Sequence, residues 1–261
     1  MRRTLVTIVF IFAAAASLPT AIADEPADTA TPEAVRNDAI SKLVAWKTEP
    51  AEVDLKNAED LDKTQPYLTA RGLLMVTNSL NQDDKMVQKG VDILEAQAKR
   101  DPTDPVAEYY LGVALNWLEK RGQAKAAWSR ARDRAEAQIE KDPRDPRAHF
   151  YRGAALVQLQ DSAEAIKELK KAERFGFDPT MVNFQLGLAY LLEEKWGLAK
   201  EAFDEVHSVD QRYAHLYFYR GLAWDKLDRK DQMLKDFDQF VRLAPNAPEA
   251  KTARAILSAM K

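Results

Sequence analysis

The sequence predicts an all-α chain built as a solenoid of antiparallel helix pairs. Three observations carry that prediction: a glycine that recurs at a near-constant interval, prolines confined to boundaries, and apolar residues at helical spacing. Gly112, Gly153, Gly187 and Gly221 each open a G-x-A pattern followed by Leu, Tyr or Trp. The stretches are Gly112-Val113-Ala114-Leu115, Gly153-Ala154-Ala155-Leu156, Gly187-Leu188-Ala189-Tyr190 and Gly221-Leu222-Ala223-Trp224, at spacings of 41, 34 and 34 residues. A fixed period of this size marks a stacked repeat, whose units bury their apolar faces against their neighbours. β-Branched residues are scarce and no strand-like alternation recurs, so nothing argues for sheet.

The elements follow in chain order. Residues 1–23 read as a secretory signal peptide: a basic head at Arg2 and Arg3, an apolar run from Leu5 to Ala16, and the small-x-small site Ala21-Ile22-Ala23 before Asp24. The apolar run is short of the ~20 residues that a membrane span needs. Residues 24–32, rich in Asp, Ala, Thr and Pro, read as a flexible leader. Residues 33–64 are assigned an N-terminal helix and linker. Thr31 caps the helix, Val35, Ile40, Leu43, Val44 and Trp46 form its apolar side, and Pro50 closes it. Residues 65–261 form the repeat domain, with a C-terminal helix over Glu249 to Met260.

Within the repeat domain the tract Lys99-Arg100-Asp101-Pro102-Thr103-Asp104-Pro105 returns 41 residues later as Glu140-Lys141-Asp142-Pro143-Arg144-Asp145-Pro146. Asp104 and Asp145 are placed to cap the next helix. Pro105 and Pro146 then occupy the first helical position, where no amide donor is needed. Asp178-Pro179 repeats the start signal, and Pro245 and Pro248 close the last unit. Each unit reads as two helices with a turn at Arg121-Gly122-Gln123, Gln160-Asp161-Ser162, Glu194-Lys195-Trp196 or Asp228-Arg229-Lys230. After the turn come Ala124, Ala165, Ala199 or Met233, and four residues on, one helical turn along the same face, Trp128, Leu169, Phe203 or Phe237. A helix-interior glycine costs about 1 kcal/mol relative to alanine. Its recurrence is therefore assigned to close helix approach, with the small residue after the turn facing it. The interval of 41 adds seven residues, about two helical turns. It predicts a longer second helix in that unit, projecting beyond its neighbours.

This pattern resembles the tetratricopeptide repeat, a 34-residue unit of two antiparallel helices with small residues at their contact and a proline at the end. The resemblance covers residues 105–245, with a weaker first unit around Gln65 to Arg100, where Ala70-Arg71-Gly72-Leu73-Leu74 echoes the later segments. It implies a right-handed solenoid of four clear repeats and a weaker first one, flanked by N- and C-terminal helices. Four residues before the glycine the family often has Trp, and here stand Glu108, His149, Asn183 and Tyr217. The resemblance also implies that the first helices line a concave groove. Its partner-binding positions fall on Tyr109, Asn116, Phe150, Gln158, Phe184, Leu188, Leu191, Phe218, Leu222 and Asp225. Some subfamilies clamp a terminal carboxylate with Lys, Arg and Asn. Here the aligned positions are mostly aromatic and aliphatic, so that activity is not carried over.

The implied function is non-catalytic: an interaction scaffold or adaptor that binds another protein through a largely apolar groove. The segment Leu186 to Leu192 is apolar on every side of its helix except at Gly187, and a helix apolar all round is covered on all sides. Two covers compete, a partner segment or the chain's own helix at Ala34–Trp46, and the second reading goes with a self-associating structural component. No catalytic, cofactor or metal site is expected. The sequence has no cysteine, no His-x-x-x-His, no phosphate-binding glycine loop and no nucleophile in a recognisable motif. Removing Arg2 and Arg3 leaves 36 basic against 41 acidic residues, a balance of −5 with interspersed signs, unlike a nucleic-acid binder. The export signal, the lack of cysteine and the lack of Asn-x-Ser/Thr sequons favour a bacterial periplasm or exterior. After signal removal no membrane span is expected. N-terminal sequencing of the exported protein is predicted to read from Asp24, and a retained Met1 would contradict the signal assignment.

Overall fold

The computed structural model describes residues 68–79 and 83–260, together with Lys42, Ala51 and Lys56. The signal, the leader and, Lys42 apart, the 33–46 helix expected from the sequence lie outside the described residues. From residue 68 onward the described residues form eleven helices and no strand. They are α1 (Leu68–Ser79), α2 (Asp84–Arg100), α3 (Pro105–Trp117), α4 (Arg121–Lys141), α5 (Pro146–Gln158) and α6 (Ser162–Arg174). Then follow α7 (Pro179–Leu192), α8 (Trp196–Val209), α9 (Ala214–Lys226), α10 (Lys230–Leu243) and α11 (Ala250–Ala259). Consecutive helices pack in five hairpins, α1/α2 to α9/α10, and α11 closes the end against α10. The first helices also touch each other in sequence, α1 with α3, α3 with α5, α5 with α7 and α7 with α9. A layer whose members touch across units lies on the inside of a curved array, so α1, α3, α5, α7 and α9 form the inner layer.

Each hairpin closes on its glycine. A Cβ on Gly112 would sit 2.4 Å from the Trp128 ring, on Gly153 2.8 Å from Leu169, on Gly187 2.5 Å from Phe203 and on Gly221 2.7 Å from Phe237. The residue that fills the gap is thus the bulky one, four positions beyond the small residue expected to face it. Ala124, Ala165 and Ala199 are fully buried beside this contact. The first hairpin keeps the same lock: a Cβ on Gly72 would meet Leu94 at 2.9 Å and the Gly90 carbonyl at 2.9 Å. Gly90 there stands four residues before Leu94, the place of the alanine elsewhere.

The boundaries follow the local chemistry. Asp104, Asp145 and Asp178 cap α3, α5 and α7 through their carboxylates, and a proline follows each at the first helical position. The turn inside each later hairpin is a Schellman motif. In the second unit Lys120 N–H donates to Leu115 C=O at 2.9 Å and Glu119 N–H to Asn116 C=O at 2.9 Å. Glu119, Gln160, Glu194 and Asp228 sit in the left-handed region with φ of 57–65°, at one and the same repeat position. The turn of the second unit is therefore Leu118-Glu119-Lys120, not Arg121-Gly122-Gln123. Gly122 lies inside the first turn of α4, where a Cβ would meet nothing within 4 Å. The αL position is taken by a residue with a side chain, so the glycine nearby pointed to the wrong place.

The 41-residue interval lengthens α4 to 21 residues, against 13 for α6 and 14 for α8 and α10. The added turns do not stand free. Arg134 donates to the carbonyls of Ala98, Asp101 and Asp104 at 3.1–3.3 Å, and Gln138 donates to Thr103 C=O at 2.9 Å. The extension folds onto the turn that joins α2 to α3 and supplies donors to its carbonyls.

Two kinds of glycine are therefore predicted to respond oppositely. Gly187→Ala drives a methyl into the Phe203 ring and should cost roughly 1–3 kcal/mol of stability, as overpacking does. Gly122→Ala and Gly197→Ala, both helical with open space around them, should gain up to about 1 kcal/mol each. Urea unfolding of the three variants checks the signs.

Candidate interaction surface on the inner layer

Exposure changes along the inner layer from α3 to α9. In α3 every residue from Pro105 to Trp117 is buried. In α5 the run from Ala148 to Val157 is buried except at Arg152. In α7 and α9 the lining reaches solvent. Leu192 and Leu222 are half-buried, and Asp225 and Lys226 are exposed.

The ten residues expected to bind a partner divide along that line. Tyr109, Phe150, Phe184 and Phe218 are at most 1% exposed and pack against other aromatic rings. Phe150 stacks on Phe177 with centroids 4.2 Å apart, Phe184 meets Tyr213 at 4.8 Å, and Phe218 meets Phe240 at 5.2 Å. Asn116, Leu188 and Leu191 are also buried. Gln158 and Leu222 are half-buried, and Asp225 is exposed.

Among these residues the structure assembles a group that periodicity alone did not reveal. Tyr109, Tyr110 and Tyr151 meet edge to face, with centroids 5.3–6.5 Å apart. Gln185 Nε2 donates to the Tyr109 hydroxyl at 3.3 Å. That bond joins the second unit to the fourth across the third. Burial pushes the Tyr109 hydroxyl well above its usual range, against the opposing hydrogen bonds from Gln185 and Gln158. Tyr110 and Tyr213 are raised for the same first reason, burial. All three side chains are buried packing groups, and the Tyr109 hydroxyl also accepts a hydrogen bond. Tyr110, Tyr151, Gln185 and Tyr219 occupy one column, two residues before each glycine, and that column was readable in the sequence.

Charged side chains tie the outer helices. Arg152 contacts Glu164 and Glu168 of α6 and Glu136 of α4, at 2.9–3.5 Å. Arg220 holds Asp236 of α10 through two bonds of 2.8 Å and Asp204 of α8 through a third of 2.8 Å. Each arginine directly precedes a repeat glycine and bridges its own unit to the one before. Glu108, in the place where Trp is common in the resembling family, instead receives Arg130 at 2.9 Å and Arg134 at 2.8 Å.

The histidines serve packing. His149 lies between the Glu168 carboxylate (2.6 Å) and the Pro143 carbonyl (3.0 Å). His215 faces Glu249 at 3.4 Å, and His207 meets the Tyr217 ring at 5.7 Å. Among the described residues no group of three or more His, Asp or Glu converges to hold a metal ion. No helix among them is long and apolar enough to cross a membrane.

Burial works to raise the Glu168 carboxyl, but hydrogen bonds from Lys171 and His149 and the Arg152 charge outweigh it and hold the group below the usual carboxylate range. A depressed folded value stabilises the fold above the unfolded value of about 4.3 and loses that contribution as pH falls through the folded value. Glu168→Gln should cost roughly 3 kcal/mol near neutrality by leaving buried positive charge uncompensated. The gap between wild type and variant should hold constant above about pH 5 and shrink on acidification. Urea titrations at several pH values check both parts.

No family model matches the sequence, and no curated protein matches it either. Solved structures do match. A thermophilic tetratricopeptide-repeat protein of Thermus thermophilus, TTC0263, superposes with a TM-score of 0.53 at 18% identity, covering 74% of this chain and 96% of its own. The Cut9–Hcn1 hetero-tetramer of the APC/C matches with a TM-score of 0.51 at 13% identity, covering 87% of this chain and 42% of that one. The chain has the tetratricopeptide-repeat fold.

Proposed function

We propose that this protein is an exported, non-catalytic interaction scaffold of the periplasm or cell envelope, and that it holds a partner segment on the C-terminal half of its inner layer. The observation that carries the reading is the change in exposure along that layer. The apolar lining is sealed from α3 to α5 and comes to the surface at Leu192 and Leu222, beside the charged Asp225 and Lys226. An apolar strip rimmed by charge suits an amphipathic segment of another protein. Gln158 lies half-buried at the edge of the sealed part. The repeat fold supports the reading because stacked helix pairs present extended inner surfaces. The signal-like N-terminus supports export.

A second reading is favoured by one observation. Ala51 is fully buried and belongs to the repeat core, so chain ahead of α1 reaches that core. In this reading residues 33–64 cover the inner layer, and the protein acts as a self-associating structural component.

Capture experiments with the mature chain separate the two. The scaffold reading expects a stoichiometric envelope partner that is lost on Leu222→Glu and kept on Leu198→Glu, a substitution at an exposed leucine of α8. Leu188 is unsuited to this test, because it is fully buried and a charge there would unfold the unit. Partner binding unchanged by Leu222→Glu sinks the inner-layer assignment. A concentration-dependent oligomer with no partner favours the second reading.

A further inference from the structure

We propose that Arg144 and Arg174, which converge on the ring of Phe175, form a docking point for an acidic segment of a partner protein. The site lies at the seam between the α4–α5 turn and the end of α6, away from the inner layer. The Arg144 guanidinium carbon lies 5.7 Å from the Phe175 ring centroid and that of Arg174 lies 4.8 Å from it. Both arginines are exposed, and the ring between them is half-buried. His149 backs the ring with its own centroid 5.3 Å away.

The backbone here is fixed. Gly176, with φ of +90°, ends α6 in a Schellman motif, and Phe177 N–H donates to Ala172 C=O at 2.9 Å. The seam also departs from the repeat. Asp101, Asp142 and Asp210 stand at the C-terminal caps of α2, α4 and α8, and each carboxylate accepts the backbone N–H two residues on at 2.9–3.0 Å. At the same place α6 has Phe175. An aromatic ring replaces the carboxylate, and two guanidiniums reach that ring.

The charge is left over. Arg130, Arg147, Arg152 and Arg220 each hold a carboxylate. Among the described residues neither Arg144 nor Arg174 has a carboxylate within ion-pair distance. Two cations around one ring repel each other, and an acidic segment lying against both relieves that repulsion. Stacking on the ring holds each planar guanidinium in place with N–H edges free for two-point contact to a carboxylate. The half-buried ring adds apolar contact that a peptide uses and a free phosphate ion does not. An acidic peptide segment therefore fits the site better than inorganic phosphate.

The inference takes from the proposed scaffold role only that the partner is a protein, and its test uses purified protein, so the two fail separately. The mature chain is titrated with a hexaglutamate peptide, with hexaglutamine and inorganic phosphate as separate arms, at low ionic strength. The double variant Arg144→Ala/Arg174→Ala should weaken hexaglutamate binding on the order of tenfold, the loss expected for charge-assisted hydrogen bonds. Arg121→Ala/Arg212→Ala removes the same charge from two other exposed positions and should leave binding unchanged. Circular dichroism melting curves identify variants that are folded. Equal losses in both doubles, no binding by the wild type, or phosphate binding without hexaglutamate binding each overturns the proposal.

Discussion

The structure depends on one contact, repeated five times: a side chain from the second helix of a pair seated against a glycine of the first. The distances leave no room for a methyl group, from 2.4 Å at Gly112 to 2.9 Å at Gly72. A missing Cβ lets two helix axes approach, and the ring or isobutyl group opposite fills the space completely. The intrinsic cost of a mid-helix glycine, about 1 kcal/mol, is offset by burial of a large apolar side chain. Leu94, Leu169, Phe203 and Phe237 are almost wholly buried there, and Trp128 nearly so. Once each hairpin is closed this way, its two helices share one register, and stacking of hairpins becomes the only freedom left.

Stacking is fixed by a different set of residues. Tyr109 with Tyr151 and Phe184 with Tyr219 fill aromatic seams between first helices, while Arg152 and Arg220 tie second helices across units. The Gln185–Tyr109 bond reaches beyond the nearest neighbour. A simple repeat array couples only adjacent units, so this bond gives the middle of the chain extra cooperativity. The inner layer is buried from α3 to α5. A long lever of binding surface is thereby reduced to its C-terminal half, where Leu192, Leu222, Asp225 and Lys226 reach solvent.

The helix pairs were legible because their signals are local. Asp-Pro at the starts of α3, α5 and α7, the glycine period and the apolar spacing each act within a few residues. The long α4 was legible for the same reason, since seven extra residues restore the helix face. What was hidden depends on neighbours. Glu119 in a left-handed conformation carries no glycine to announce it, so the turn lies ahead of the place that Gly122 suggests. The alanine after each turn is small, as a close helix contact demands, yet it is not the residue opposite the glycine. The fit instead pairs the smallest residue with the largest, as tight packing does. Tyr109 meets Gln185, 76 positions apart in sequence, a contact that no period of 34 discloses. The residues expected to touch a partner lie at the positions the family pattern gives them. Tyr109, Phe150, Phe184 and Phe218 are buried there in aromatic packing.

The hairpins stand on the pairing of glycine with bulk, and a double-mutant cycle at Gly187 and Phe203 measures it directly. Phe203→Leu shortens the group that a Cβ on residue 187 would strike at 2.5 Å. If the contact holds the hairpin, the combined Gly187→Ala/Phe203→Leu variant should be more stable than the sum of the single losses implies. The coupling should be about 1 kcal/mol or more in urea unfolding. Strictly additive losses would show that the two residues do not sense each other, and would contradict the account.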